Sequence, residues 1–88
     1  MVKITKTFVE NLAFATSRND HNSARIDLAR KLNSPTLKKY QKIMRDHMVR
    51  GHLTMEDYDK RMALDKKLFS EAKKKLSKSD YDLVESAF

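Results

Sequence analysis

One proline and one glycine occur in the 88-residue chain, Pro35 and Gly51. Sheets need turn formers at every reversal, so a chain this poor in both folds as helices joined by polar breaks. The two residues act as punctuation. Proline suits the first helical position, where an N–H would go unpaired anyway, so Asn33-Ser34-Pro35 opens a helix with Ser34 as its cap. That helix runs to Arg50, which complements its dipole. Gly51 closes it, because glycine enters the left-handed conformation without steric cost.

The other helices follow from caps and apolar spacing. Thr7 and Glu10 have capping-box spacing, and Phe8, Val9, Leu12 and Ala15 follow on one face, predicting a first helix over 7–17. The polar run from Thr16 to Asn22 ends it. A second helix fits 23–33, capped by Asn22 or Ser23 and supported by an Asp27–Lys31 pair at i,i+4. A fourth opens at Thr54, with Asp57 at N3 and with Leu53 and Tyr58 spaced as a hydrophobic staple. Met55, Met62, Phe69 and Leu76 recur every seven residues and are expected to hold its apolar face. Glu56–Lys60, Asp57–Arg61 and Glu71–Lys75 lie on a side read as solvated. The run Leu53-Thr54-Met55-Glu56-Asp57-Tyr58-Asp59 is echoed by Leu76-Ser77-Lys78-Ser79-Asp80-Tyr81-Asp82. The echo predicts a last helix that buries Tyr81, Val84 and Phe88. The expected fold class is all-α, a compact array of about five short-to-medium helices (roughly 7–17, 23–33, 35–50, 55–76 and 78–88). They form a single helical domain over 1–88, orthogonal or bundle-like.

Function classes are narrowed by what the chain lacks. With no cysteine, disulfides, thiolate metal sites and cysteine nucleophiles are excluded. His21, His47 and His52 contain no i,i+4 pair of the kind a helical zinc site uses. A single glycine cannot build a phosphate-binding loop, and no serine stands in a Gly-x-Ser-x-Gly context. The expectation is a protein that is not an enzyme and needs no cofactor or metal. No apolar run approaches the roughly 20 residues of a membrane span. Met1 to Glu10 carries two lysines with no apolar stretch after them, which argues against a secretory leader. The expected location is cytoplasmic, with no membrane partner.

The net charge is +7, and its placement is uneven. Residues 23–50 hold eight basic residues against two acidic, whereas 51–88 hold eight of each. A field of one sign steers a polyanionic partner. On a helical wheel Leu37, Tyr40, Met44 and Met48 share one face of the third helix. Lys38, Lys42 and Arg45 form a flanking stripe, with Lys39 and Arg50 further round. Arg25, Arg30 and Lys31 of the second helix would extend this into a patch for phosphates or an acidic protein surface.

Residues 25–40 resemble part of a helix-turn-helix motif. Leu28-Ala29-Arg30-Lys31-Leu32-Asn33 matches the motif's first helix, with a small alanine at the helix contact and a turn residue four later. Ser34-Pro35-Thr36-Leu37 would open the recognition helix. The resemblance implies Thr36, Lys38 and Lys39 facing the major groove and backbone. It covers about 16 residues by a loose motif, and it departs from the pattern in two places. The motif's apolar recognition-helix positions fall on Lys39 and Lys42, and Leu37 comes about two residues early. Phe14, Tyr40, Tyr58 and Phe69 are scattered singly, unlike the aromatics of a single-strand binding groove.

Three features stand apart. Phe14 points away from the Phe8, Val9 and Leu12 arc, so either the first helix is sandwiched or Phe14 is an exposed anchor for a partner. Met44, Met48, Met55 and Met62 straddle Gly51. Core filling is the simpler expectation for them, an adaptable binding surface the other. Asp65 interrupts the apolar face of the fourth helix and must be paired or wet, with Arg61 the obvious partner.

These observations lead to an expected small non-enzymatic regulator or inhibitor. It would bind a larger protein or nucleoprotein complex, such as one that handles nucleic acid, through Lys31, Lys38, Lys39, Lys42 and Arg45, with Phe14 as apolar anchor. The alternatives are direct nucleic-acid binding by a degenerate helix-turn-helix, and self-association through the seven-residue stripe. A monomer is the default and a homodimer the variant. In size and composition the chain is similar to phage-encoded modulators of host machinery, an analogy of style.

Overall fold

Four of the helix starts in this chain are set by short polar side chains that accept an otherwise orphaned backbone N–H; the third helix has no such cap. In the computed structural model, which describes residues 2–88, there are five helices and no strand among those residues. They are α1 (Lys6–Ser17), α2 (His21–Lys31), α3 (Leu37–Arg50), α4 (Met55–Lys75) and α5 (Lys78–Ala87). Thr5 accepts from the Phe8 N–H at 3.1 Å and Asp20 from the Ser23 N–H at 3.3 Å. Thr54 accepts from Asp57 at 3.1 Å and Ser77 from Asp80 at 3.2 Å, so the echoed segments are indeed two uses of one start. Asp57 returns the bond by accepting from the Thr54 N–H, which completes a capping box.

Three boundaries differ from expectation. The cap of α1 is Thr5, not Thr7, and that of α2 is Asp20, since Asn22 is taken up by Arg61. Pro35 precedes α3 instead of beginning it. Ser34 Oγ accepts from the Thr36 N–H at 3.2 Å and lies 2.8 Å from the Thr36 hydroxyl, which makes a buried turn ahead of Leu37. Asp27 reaches Arg30 at 3.6 Å, while Lys31 lies over the Phe8 ring.

The first three helices end in the left-handed conformation at Asn19 (φ 61°), Asn33 (φ 54°) and Gly51 (φ 82°). At Asn19 and Asn33 the following N–H reaches back to Ala15 and Ala29, and the asparagine's own N–H to Thr16 and Arg30, the double bond of a Schellman close. Asparagine tolerates this geometry, so two chain reversals need no glycine. A Cβ at Gly51 would meet nothing within 4 Å, so only backbone strain opposes substitution. Gly51→Ala is expected to destabilise by about 1–2 kcal/mol and Gly51→Asn by much less, read by urea denaturation.

Each helix packs on its neighbour in sequence, and α5 returns to α1, so the array closes on itself. Leu12, Leu28, Leu32, Leu68 and Val84 fill the centre with essentially no exposure. Thr16 Oγ1 donates to the Ala87 carbonyl at 2.8 Å, and the Phe88 ring meets Phe69 edge-on at 5.2 Å, which docks the C-terminal residue as expected. The Val2 N–H donates to the Lys75 carbonyl at 3.0 Å. Across the ring, α2 and α4 are braced by long side chains. Lys75 Nζ donates to the Leu32 carbonyl at 2.7 Å, Arg61 to Asn22 Oδ1 at 2.9 Å and Arg25 to Asp65 at 2.8 Å.

The face of α4 is where sequence periodicity misplaces the core. Leu64, Leu68 and Ala72 are buried, whereas Met55 and Met62 of the seven-residue stripe are 76% and 64% exposed. A seven-residue repeat drifts by about 20° per repeat on a straight helix, so the stripe slides off the buried side toward its N-terminal end. Only Leu76 is fully buried there, with Phe69 half-buried against Phe88. Met48 is 75% exposed, so core filling accounts for Met44 alone of the four methionines.

Candidate functional site

Burial of Tyr40 and Ile43 fixes the rotation of α3. At 100° per residue, Lys38, Lys42 and Arg45 then fall within an arc of about 60° on the opposite side, and all three are exposed. Val49, 87% exposed, lies in the same arc. Among the described residues only Lys42 of these three has a carboxylate in reach, Asp46 at 3.2 Å. Lys38 and Arg45 therefore present uncompensated charge to solvent.

Lys39 turns from this arc toward α4 and enters a groove of about 410 Å³ between the two helices. Ile43, Leu64 and Ala63 form its floor, and Lys39, Lys42, Lys60 and Lys67 stand around it. Of the two α4 lysines, only Lys60 is placed on a solvated surface by the sequence, through its i,i+4 pair with Glu56. That pair is present at 3.1 Å. The seven-residue spacing of Lys60 and Lys67 puts both on one side of α4, but nothing within that helix signals that α3 approaches there.

The second helix contributes less to the patch than its sequence suggested. Arg25 is directed inward and Lys31 lies with Phe8 and Asn11 in a groove against α1. Arg30 alone reaches the α3 surface, where it shares a shallow groove with Arg45, Met44 and Met48. Thr36, assigned to the major groove by the helix-turn-helix resemblance, is 3% exposed and bonded to Ser34. Lys38 and Lys39 remain outward. Phe14 is exposed, with the Arg18 guanidinium 5.4 Å above its ring. It stands on a helix packed against α2 and α5, so it does not line the α3–α4 groove.

Behind α3 lies a polar centre. Asp65 Oδ1 accepts from Tyr40 Oη at 2.6 Å and from Arg25 Nε at 2.8 Å. Its partner is thus Arg25 and not Arg61, which reaches Asn22 and lies 5.2 Å from the Tyr58 ring. Burial, followed by the bond to Asp65, pushes the Tyr40 hydroxyl far above the usual tyrosine range. Burial lowers Arg61, with Arg25 adding repulsion. At the start of α4 the Thr54 N–H holds the Asp57 carboxyl below the usual range, helped by Arg50, which is bonded to it. This centre ties α2, α3 and α4 together and sets the rotation of the basic arc.

Among the described residues no group of three histidine or acidic side chains converges in a way that could hold a metal ion. Among the same residues no helix is long and apolar enough to cross a membrane. Compared with models of known protein families, with curated proteins and with solved structures, the chain matches none.

Proposed function

We propose that the chain is a small, non-enzymatic, cytoplasmic regulator. It docks on an acidic surface of a larger protein, one that handles nucleic acid, through the outer face of α3. The observation that carries this reading is the arc of Lys38, Lys42 and Arg45. Three exposed cations share one rigid helix face with an exposed valine, and two of them have no carboxylate partner among the described residues. Charge of one sign raises association rate and selects complementary partners, while a central apolar contact holds the complex.

A photo-crosslinking amino acid at position 49, inside the arc, tests the reading. A single dominant protein adduct that survives nuclease treatment is expected. Lys38→Glu with Arg45→Glu is expected to reduce it by about tenfold or more. Phe14→Ala is expected to leave stability within about 0.5 kcal/mol, since the ring is mostly exposed. It should weaken capture about fivefold if the ring is a second anchor. Lys38 and Lys39 favour direct nucleic-acid binding as the competing reading. Nuclease-sensitive capture would support it, together with anisotropy of random-sequence duplex that falls steeply with salt. Exposed Met55 and Met62 favour self-association, which light scattering would show as a dimer.

A further inference from the structure

We infer that the groove between α3 and α4 is a second, more selective binding site, and that its ligand is an acidic peptide segment with an apolar anchor side chain. The inference rests on the reading of this protein as a docking module and names what part of a partner this groove accepts.

Two properties of the groove select that chemistry together. Its rim is cationic. Lys39 and Lys67 have no carboxylate within salt-bridge distance among the described residues, and Lys60 is held only by the exposed Glu56 one turn back. Its floor is apolar, built from Ile43 and Leu64, each 6% exposed, and from Ala63. The two carboxylates of the walls are already engaged, Asp46 by Lys42 and Asp57 by Arg50 and the Thr54 N–H.

A nucleic-acid strand satisfies only the rim. Its backbone has no apolar group to seat on Ile43 and Leu64, and no aromatic ring lines the groove to stack a base. A peptide in which an aliphatic or aromatic side chain is flanked by Asp and Glu satisfies both parts, as in helix-in-groove recognition. The methyl of Ala63 leaves the room such a side chain needs, and Lys60 and Lys67, two turns apart, bracket it at about 10 Å spacing.

The test is fluorescence anisotropy with four fluorescein-labelled probes. One is a helical Glu-rich peptide with a Leu–Phe pair at i,i+4, and another is the same peptide with Ser at both positions. The others are a mixed-sequence single strand and a duplex. The intact protein is expected to bind the Leu–Phe peptide at least about tenfold more tightly than the other three. Lys39→Glu with Lys67→Glu, and separately Ala63→Trp, which fills the floor from an exposed position, should each weaken it by about tenfold. Lys78→Glu, on α5 and outside both the arc and the groove, should change it less than about twofold. Circular dichroism establishes that each variant is folded.

Equal binding of the Ser peptide, full binding by Ala63→Trp, or tighter binding of either nucleic acid overturns the inference. If the groove probes fail while capture at position 49 still depends on Lys38 and Arg45, only the groove inference falls. If peptide binding holds while that capture is unaffected by Lys38→Glu with Arg45→Glu, the outer-arc reading falls instead.

Discussion

Asp65→Ala is expected to destabilise the protein by about 3 kcal/mol, the lower end of the range for removing one member of a buried ion pair. The lower end applies because the Asp65 side chain is 24% exposed and that of Arg25 15%. Without the carboxylate, Arg25 keeps a buried charge with no counterion, the Tyr40 hydroxyl loses its acceptor, and Arg61 faces Arg25 across the gap. One Arg25 nitrogen, Nη1, is already buried without a partner, so the site has no spare acceptor to offer the guanidinium. Tyr40→Phe removes only the 2.6 Å bond and is expected to cost about 1.5 kcal/mol, because Arg25 still holds the carboxylate. A chain of this length is stable by roughly 4–13 kcal/mol, so urea denaturation followed by circular dichroism resolves both. If Asp65→Ala costs less than Tyr40→Phe, the carboxylate is not the centre of the cluster.

Leu68→Ala is expected to cost about 3 kcal/mol, and Met62→Ala no more than about 0.5 kcal/mol, although the two residues are less than two turns apart on one helix. Leu68 is fully buried and Met62 mostly exposed. Truncating Leu68 leaves a cavity that its neighbours cannot close, whereas Met62 gives up little contact. Equal losses at the two positions would mean that α4 is rotated from the arrangement described.

The contrast shows why the rotation of α4 was hard to read. Beside Leu64, its inward positions in the N-terminal half are Asp57, Arg61 and Asp65, which look like surface residues. They are accommodated because their partners, Arg50, Asn22, Arg25 and Tyr40, arrive from other helices. Such pairings are set by tertiary packing and leave no mark on the local apolar period. The methionine stripe, with its regular seven-residue spacing, supplied a cleaner pattern on the wrong side.

Caps carry their own chemistry and were legible. Thr54, Ser77 and Gly51 do what their types and neighbours imply. Thr5 and Asp20 were missed because Thr7, Asn22 and Ser23, two or three residues along, are equally good cap residues in isolation. The same distinction divides the candidate site. The arc of Lys38, Lys42 and Arg45 lies on a single helix, so a wheel recovers it. The groove needs two helices to face each other, and no spacing within either one reports that Lys39 meets Lys60 and Lys67.

The closure of α5 onto α1 has a kinetic consequence. The other close pairings join helices adjacent in the chain, so most of the topology assembles across short loops and has a low contact order. Helical domains of this kind fold in microseconds to milliseconds. Seating α5 on α1 is different in kind, since the Thr16 to Ala87 hydrogen bond spans 71 positions and its loop-closure entropy exceeds that of any pairing between helices adjacent in the chain. Mutations at that seam should therefore act mainly on the unfolding rate, leaving the speed of folding to the local helix pairs.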